Sequence, residues 1–247
     1  MEKHNHHIYC RIAGHIVIIL GLVIPLLRTT VLIENHRHQV PDLQRFADMR
    51  TRFATLWNVG FQVIYALVSL VIDIYTVKGK ERKIPAALRS YRYTFFAGII
   101  YPVAMGVLIF WPVYIYDREL VYKTTLEVAI AQHINYIVHG LVFVYANYEL
   151  AFLPRELPKR DNVSWNHLVV FNVIYMAVVF YTRYVDIGVW VYDVLTATIG
   201  TIMFPIILFS LWGLSTIGYY LQWTLKELVW WLRDSVKVRS LENKYTS

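Results

Sequence analysis

Six runs of about twenty apolar residues, each long enough to cross a bilayer, restrict this chain more than any other feature of it. They cover roughly Ile12–Ile33, Phe53–Val77, Tyr93–Tyr116, Val128–Leu153, Leu168–Tyr184 and Thr196–Trp223. A bilayer offers backbone N–H and C=O groups no water to bond, so only helices and closed barrels span it, and these runs are too long for barrel strands. The expectation is an all-α membrane protein: one six-transmembrane-helix bundle over residues 1–247, with short cytoplasmic termini. A mean hydropathy of +0.43 sets the chain apart from soluble domains. The connections are short, and no pair of inverted three-helix halves, the signature of many transporters, is evident.

Charge orients the bundle. About two thirds of the 24 Lys and Arg residues fall on the side that holds both termini, which the positive-inside rule assigns to the cytoplasm. The plasma membrane and the endoplasmic reticulum both fit. The net charge of +7 is spread over the loops, as a topology signal and an attraction for anionic lipid, and not as a nucleic-acid footprint. Cys10 is the only cysteine, so no intramolecular disulfide forms. The first run is too long for the core of a cleaved signal peptide and reads as a retained anchor. Asn162-Val163-Ser164 fits a glycosylation acceptor, but on the cytoplasmic side it is expected to stay unused. Near the end, KELVWWLRDSVKVR reads as an interfacial amphipathic helix.

Polar residues inside two of the runs point to a site, because such groups are costly at membrane depth unless they find partners. In the second run Thr55, Asn58, Gln62, Ser69 and Asp73 recur on one narrow face of a helix. Lys78 and Lys80 are the expected neutralising partners of Asp73. In the fourth, Gln132, Asn135, Tyr136 and His139 share a face from which His133 diverges. Two polar stripes bury against each other or along a shared cavity. His4, His6 and His7, and the pair His36 and His38, lack a carboxylate or thiol cluster at ligand spacing, so no metal site is expected.

Several segments in order resemble one family, the androgen-induced protein and androgen-dependent TFPI-regulating protein family of multi-span membrane proteins. RFATLWNVGFQ is similar to its start of the second span. YPVAMGVLIFWPVYIYDRELVY is similar to its third span and following loop. NYIVHG with Glu149 ten residues past His139 resembles its fourth span, and IGVWVYDV its Gly-x-Trp-Val-Tyr element. The resemblance implies hydrolysis of fatty acid esters of hydroxy fatty acids by a threonine nucleophile and a histidine base, within the membrane and without metal or organic cofactor. By position these residues are Thr55 and His139. Asn58 and Asn135 are candidates to hold an oxyanion or orient the histidine, and Arg183 or Arg118 to bind a substrate carboxylate. The chain departs from the family's His-x-x-His-Thr pattern, carrying Tyr136 and Gly140 around His139.

One expectation runs against this dyad. Thr55 begins its apolar run while His139 lies midway along its own, a depth difference of roughly ten residues or about 15 Å at helical rise. Two other classes compete with the esterase. A small transporter or channel requires a water path along both stripes ending at Asp73. A non-catalytic accessory protein requires every polar group satisfied and no lipid-sized cavity.

Overall fold

The computed structural model describes residues 6–153 and 162–245. Among the described residues there are helices and no strands. The main elements are α1 (His6–His36), α2 (Pro41–Met49), α3 (Ala54–Val77), α4 (Ala86–Tyr116), α5 (133–152), α6 (Asn162–Asp186), α7 (Asp193–Thr198) and α8 (Met203–Tyr245). Five of these, α1, α3, α4, α6 and α8, are long and apolar enough to cross a membrane. The fourth expected span is α5, built of three α-helical, six π-helical and eleven α-helical residues. Its His133, Asn135, His139, Asn147 and Glu149 keep its hydropathy below that of the five.

Lipid-facing surfaces are plain from exposure. Ile16, Val17, Leu20, Ile24, Leu27 and Val31 form an exposed apolar face on α1, and Ile206, Phe209 and Ile217 do so on α8. Exposed apolar area of that extent fits a bilayer and not water. The opposite faces pack inward around Ile18, Leu22, Tyr65, Phe96, Ile100, Tyr101, Ala104, Val142 and Ala146. Small residues set the closest helix contacts. A Cβ on Gly98 would stand 2.3 Å from the Ser164 carbonyl oxygen, and one on Gly218 2.7 Å from Met105, so α4 meets α6 and α8 through glycines.

Several segments differ from the sequence reading. The residues before α5 form short 3-10 turns, and the helix begins at His133 instead of Val128. The KELVWWLRDSVKVR piece is no separate interfacial helix; it continues α8 without a break. His4 and most of the connection before Asn162, with its basic residues, lie outside the described residues.

One end of the bundle is closed by charge. Arg92 on α4 grips Asp73 on α3 through two bonds, of 2.7 and 2.9 Å. Arg11 on α1 reaches Glu149 on α5 at 3.1 Å and Asp73 at 3.6 Å. His15 sits between the Tyr145 hydroxyl at 2.8 Å and Asp73 at 3.2 Å, and the Tyr65 hydroxyl donates to Glu149 at 2.8 Å. Each of these side chains is buried. Asp73 is therefore neutralised by two arginines inside the bundle and not by Lys78 or Lys80. Two guanidinium groups balance two carboxylates, and four helices contribute. Arg92→Met leaves a buried carboxylate with half its partners, a loss worth about 3–5 kcal/mol in buried pairs. We expect a marked fall in detergent melting temperature for Arg92→Met, with Arg82→Met, on the exposed 3-10 turn before α4, near wild type.

Candidate functional site

Thr55 and His139 meet. The threonine Oγ1 lies 2.9 Å from His139 Nε2. The expected difference in depth disappears because α5 starts at His133, so both residues occupy the first two turns of their helices. The tautomer follows from the other ring nitrogen. Nδ1 stands 3.3 Å from the Asn135 carbonyl oxygen, which can only accept, so Nδ1 carries the proton and Nε2 presents its lone pair to the Thr55 hydroxyl. The third member of the chain is thus a backbone carbonyl and no carboxylate.

The π-helical stretch Tyr136–Leu141 also redistributes the stripe. Asn135 and His139 face inward, while Gln132 and Tyr136 face out. Gln132 donates to the Tyr114 hydroxyl at 2.7 Å, and Tyr136 stacks on Trp111. The 100° step assumed from sequence does not apply to a wider turn. The stripe on α3 holds as read: Asn58, Gln62, Ser69 and Asp73 are all buried.

Neighbours fix the dyad. The Phe110 ring lies face to face on His139, with centroids 3.7 Å apart and 9° between planes. The start of α3 is held by two tyrosines. The Ala54 N–H donates to the Tyr175 hydroxyl at 3.0 Å and the Tyr192 hydroxyl at 3.1 Å, and Tyr175 donates to the Arg52 carbonyl. Leu56 and Trp57 donate to the Phe53 carbonyl. Of the first four N–H groups of α3, which have no intrahelical acceptor, that of Thr55 alone lacks a partner among the described residues. Asn135 Nδ2 is buried and equally unpartnered. Sequence reasoning missed Phe110 and Tyr175. Tyr192 lies in the Gly-x-Trp-Val-Tyr element, the one signal available for it.

Two cavities meet at the dyad, and Thr55, Phe110, Val121, His139 and Tyr192 line both. The larger, of about 190 Å³, runs outward between α1, α2 and the 118–126 connection. The smaller, of about 90 Å³, runs between α4, α6 and α8. Asn58 lines neither; its Oδ1 accepts from Gln62 at 3.4 Å, one turn deeper. Arg183 lines neither, and instead donates to the Gly188 carbonyl and packs over Tyr184 and Trp190. Arg118 pairs with Glu127. Among the described residues no group of three or more His, Cys, Asp or Glu is placed to hold a metal ion.

Ion pairs rim the mouth of the larger cavity. Lys123 bonds Asp42 at 2.7 Å and Asp193 at 3.3 Å, and Arg45 bonds Asp193 at 2.7 Å. Hydrogen bonds from Lys123 and from Thr125, at 2.8 Å, hold the Asp42 carboxyl below its ordinary value, and Asp42 in turn raises the Lys123 ammonium. A depressed carboxyl stabilises the fold above its unfolded value and loses that contribution as pH falls through the folded one. The raised lysine acts below its own unfolded value and stops as pH rises past the folded one. The mouth is therefore tied at neutral pH and loosens below about pH 4, near the carboxyl's ordinary range. Asp42→Asn is expected to speed proteolysis at residues 118–126 at neutral pH and to flatten the acid-side dependence seen in the parent.

Comparison with known proteins places relatives beside this geometry. Residues 18–226 match the model of a family described as FAR-17a/AIG1-like protein. Androgen-dependent TFPI-regulating protein of Mus musculus is 30% identical over 175 residues, covering 70% of this chain and 73% of that protein. The Homo sapiens protein of the same name is 28% identical over 148 residues, covering 59% and 62%. Androgen-induced gene 1 protein of Homo sapiens is 25% identical over 152 residues, covering 58% and 63%. No solved structure matches the chain.

Proposed function

The chain belongs to the FAR-17a/AIG1-like family, and from that premise we propose that it is an integral-membrane lipid esterase. Its substrates are fatty acid esters of hydroxy fatty acids, Thr55 is the nucleophile and His139 the base. The observation that carries this reading is the 2.9 Å contact between Thr55 Oγ1 and His139 Nε2 at the junction of two largely apolar cavities.

The chemistry follows from the tautomer. A threonine hydroxyl becomes a useful nucleophile when an adjacent base takes its proton. His139 Nε2 accepts that proton as Oγ1 attacks the ester carbonyl. The carbon–oxygen bond to the alcohol half breaks, and His139 returns the proton to the departing oxygen. An acyl-threonine remains. Water then gives a proton to His139, its oxygen attacks the acyl carbon, and Thr55 leaves with the proton restored. Positioned acid–base help of this kind contributes about 10²–10⁴-fold. Asn135 Nδ2 and the Thr55 N–H are the donors left free to stabilise the developing oxyanion, as an oxyanion hole requires. The polar groups Asn58 and Arg183 have no such access. No cofactor enters any step.

The same reading makes the whole chain one six-span unit, with α5 as its fourth crossing beside the five long apolar helices. Both termini lie in the cytoplasm, the dyad in the opposite half of the bilayer, and the protein in the plasma membrane or endoplasmic reticulum. A transporter reading finds less support. It needs a polar path from Thr55 to Asp73, yet Asn58, Gln62, Tyr65 and Ser69 between them are buried in packed surroundings, and Asp73 is bound by Arg92. A purely structural role leaves the two cavities that meet at Thr55 and His139 without an explanation.

The experiment is hydrolysis of a fatty acid ester of a hydroxy fatty acid by membranes containing the chain. Thr55→Ala and His139→Ala, at matched abundance, are each expected to lower turnover at least a hundredfold. Full activity in either variant rejects the dyad.

A further inference from the structure

We propose that the two cavities at the dyad take the two halves of the ester in a fixed order: the acyl half that becomes bonded to Thr55 enters the inner cavity between α4, α6 and α8, and the alcohol half occupies the outer one. This rests on the acyl-threonine reading above and makes the inner cavity the gauge of acyl length.

Lining chemistry separates the cavities. The outer one carries Asp42, Arg45, Arg50, Glu119, Lys123 and Asp193 at its mouth. Lys123, Asp42, Arg45 and Asp193 have side-chain exposures of 29–37%, so this mouth reaches water. The inner one is lined by no charged side chain among the described residues. Its amide and its serine are already engaged elsewhere. Asn172 Nδ2 donates to the Leu168 carbonyl and Ser215, and Ser210 donates to the Ile207 carbonyl. What remains is the apolar surface of Val107, Met176, Val179, Leu208 and Leu211. A methyl-terminated hydrocarbon chain is the ligand such walls favour.

The order of bond changes selects the same arrangement. Once the acyl half is bonded to Thr55, it stays until water cleaves it, while the alcohol half must leave first. Only the outer cavity has a polar mouth through which a fragment with a new hydroxyl can depart and water can follow to His139. The reverse placement would carry the leaving fragment past the dyad and leave the charged mouth against the tethered hydrocarbon.

Two ester series test the assignment. One holds 12-hydroxystearate as the alcohol half and varies the acyl chain from acetyl to stearoyl; the other holds palmitoyl and varies the alcohol half. Met176→Trp, which fills the inner cavity, is expected to lower the ratio of kcat/KM for palmitoyl over acetyl esters at least tenfold. Met176→Ala is expected to raise it. Leu120→Trp, in the outer cavity, should shift the alcohol series and leave that acyl ratio within about twofold. Exchange of these two patterns, or an acyl ratio indifferent to Met176, overturns the assignment. If Met176→Trp does not fold, Met176→Ala and Val179→Ala decide by the same ratio. Failure of the underlying reading shows separately: an active Thr55→Ala protein, or a parent that forms no acyl adduct on Thr55 in mass spectra after rapid quenching, removes the acyl-threonine and this assignment with it.

Discussion

Two arginines and two carboxylates buried at one end of a membrane bundle persist only as a mutually neutralising set. Arg11, Arg92, Asp73 and Glu149 are such a set, joined by His15, Tyr65 and Tyr145. An unpaired charge at this depth is costly, and attraction is stronger than in water because the surroundings polarise little. The cluster draws on α1, α3, α4 and α5, so no one of these helices can slide along its axis without exposing a charge. Apolar packing alone does not fix such a register, since lipid tails solvate leucine as well as another helix does.

The same four helices build the dyad at their other ends. Arg11 starts α1 and the outer cavity lines its last turns; Asp73 ends α3 and Thr55 starts it; Glu149 ends α5 and His139 starts it. A register fixed at one end by charge sets the heights of Thr55 and His139 at the other. The two ends then differ in kind. The charged end is buried and mutually bonded, whereas the dyad end opens between helices and is tied by partly exposed ion pairs such as Lys123 with Asp42. The bundle thus keeps its more solvated contacts at the end where the two cavities meet Thr55 and His139.

Much of this was legible in the residues. The α3 stripe was readable because an unbroken α-helix repeats at 3.6 residues, and Asn58 through Asp73 obey that period to the end of the helix. The α5 stripe was half readable. Asn135 and His139 share the inward face that their spacing predicts, but Gln132 and Tyr136 turn outward because the helix begins late and then widens into a π turn. Hydropathy reports a segment's apolar content and not where its backbone first becomes helical, so the apolar Val128–Ile130 reads as helix although the helix begins at His133. The partners of Asp73 escape the sequence for a related reason. Lys78 and Lys80 are near in sequence, whereas Arg11 and Arg92 approach through the packing of other helices. The spacing of Arg11 and His15, four residues apart and hence on one face of α1, was the available hint. Ring stacking by Phe110 and the Tyr175–Tyr192 clamp leave no periodic trace, since each depends on two helices meeting at a particular angle.

Tyr136 and Gly140, where the resembled family carries a histidine and a threonine, gain a physical meaning from the geometry. The His139 imidazole is oriented by the Asn135 carbonyl on one edge and by the Phe110 face on another. Neither contact uses the side chain at 136 or 140. Tyr136 is turned away onto Trp111, and a Cβ at Gly140 would meet nothing within 4 Å. Tyr136 thus reaches the imidazole only through Trp111, whose ring stands edge-on to His139 with centroids 6.4 Å apart. The His139 imidazole keeps its tautomer and its aim because a backbone carbonyl, which no substitution removes, holds its second nitrogen.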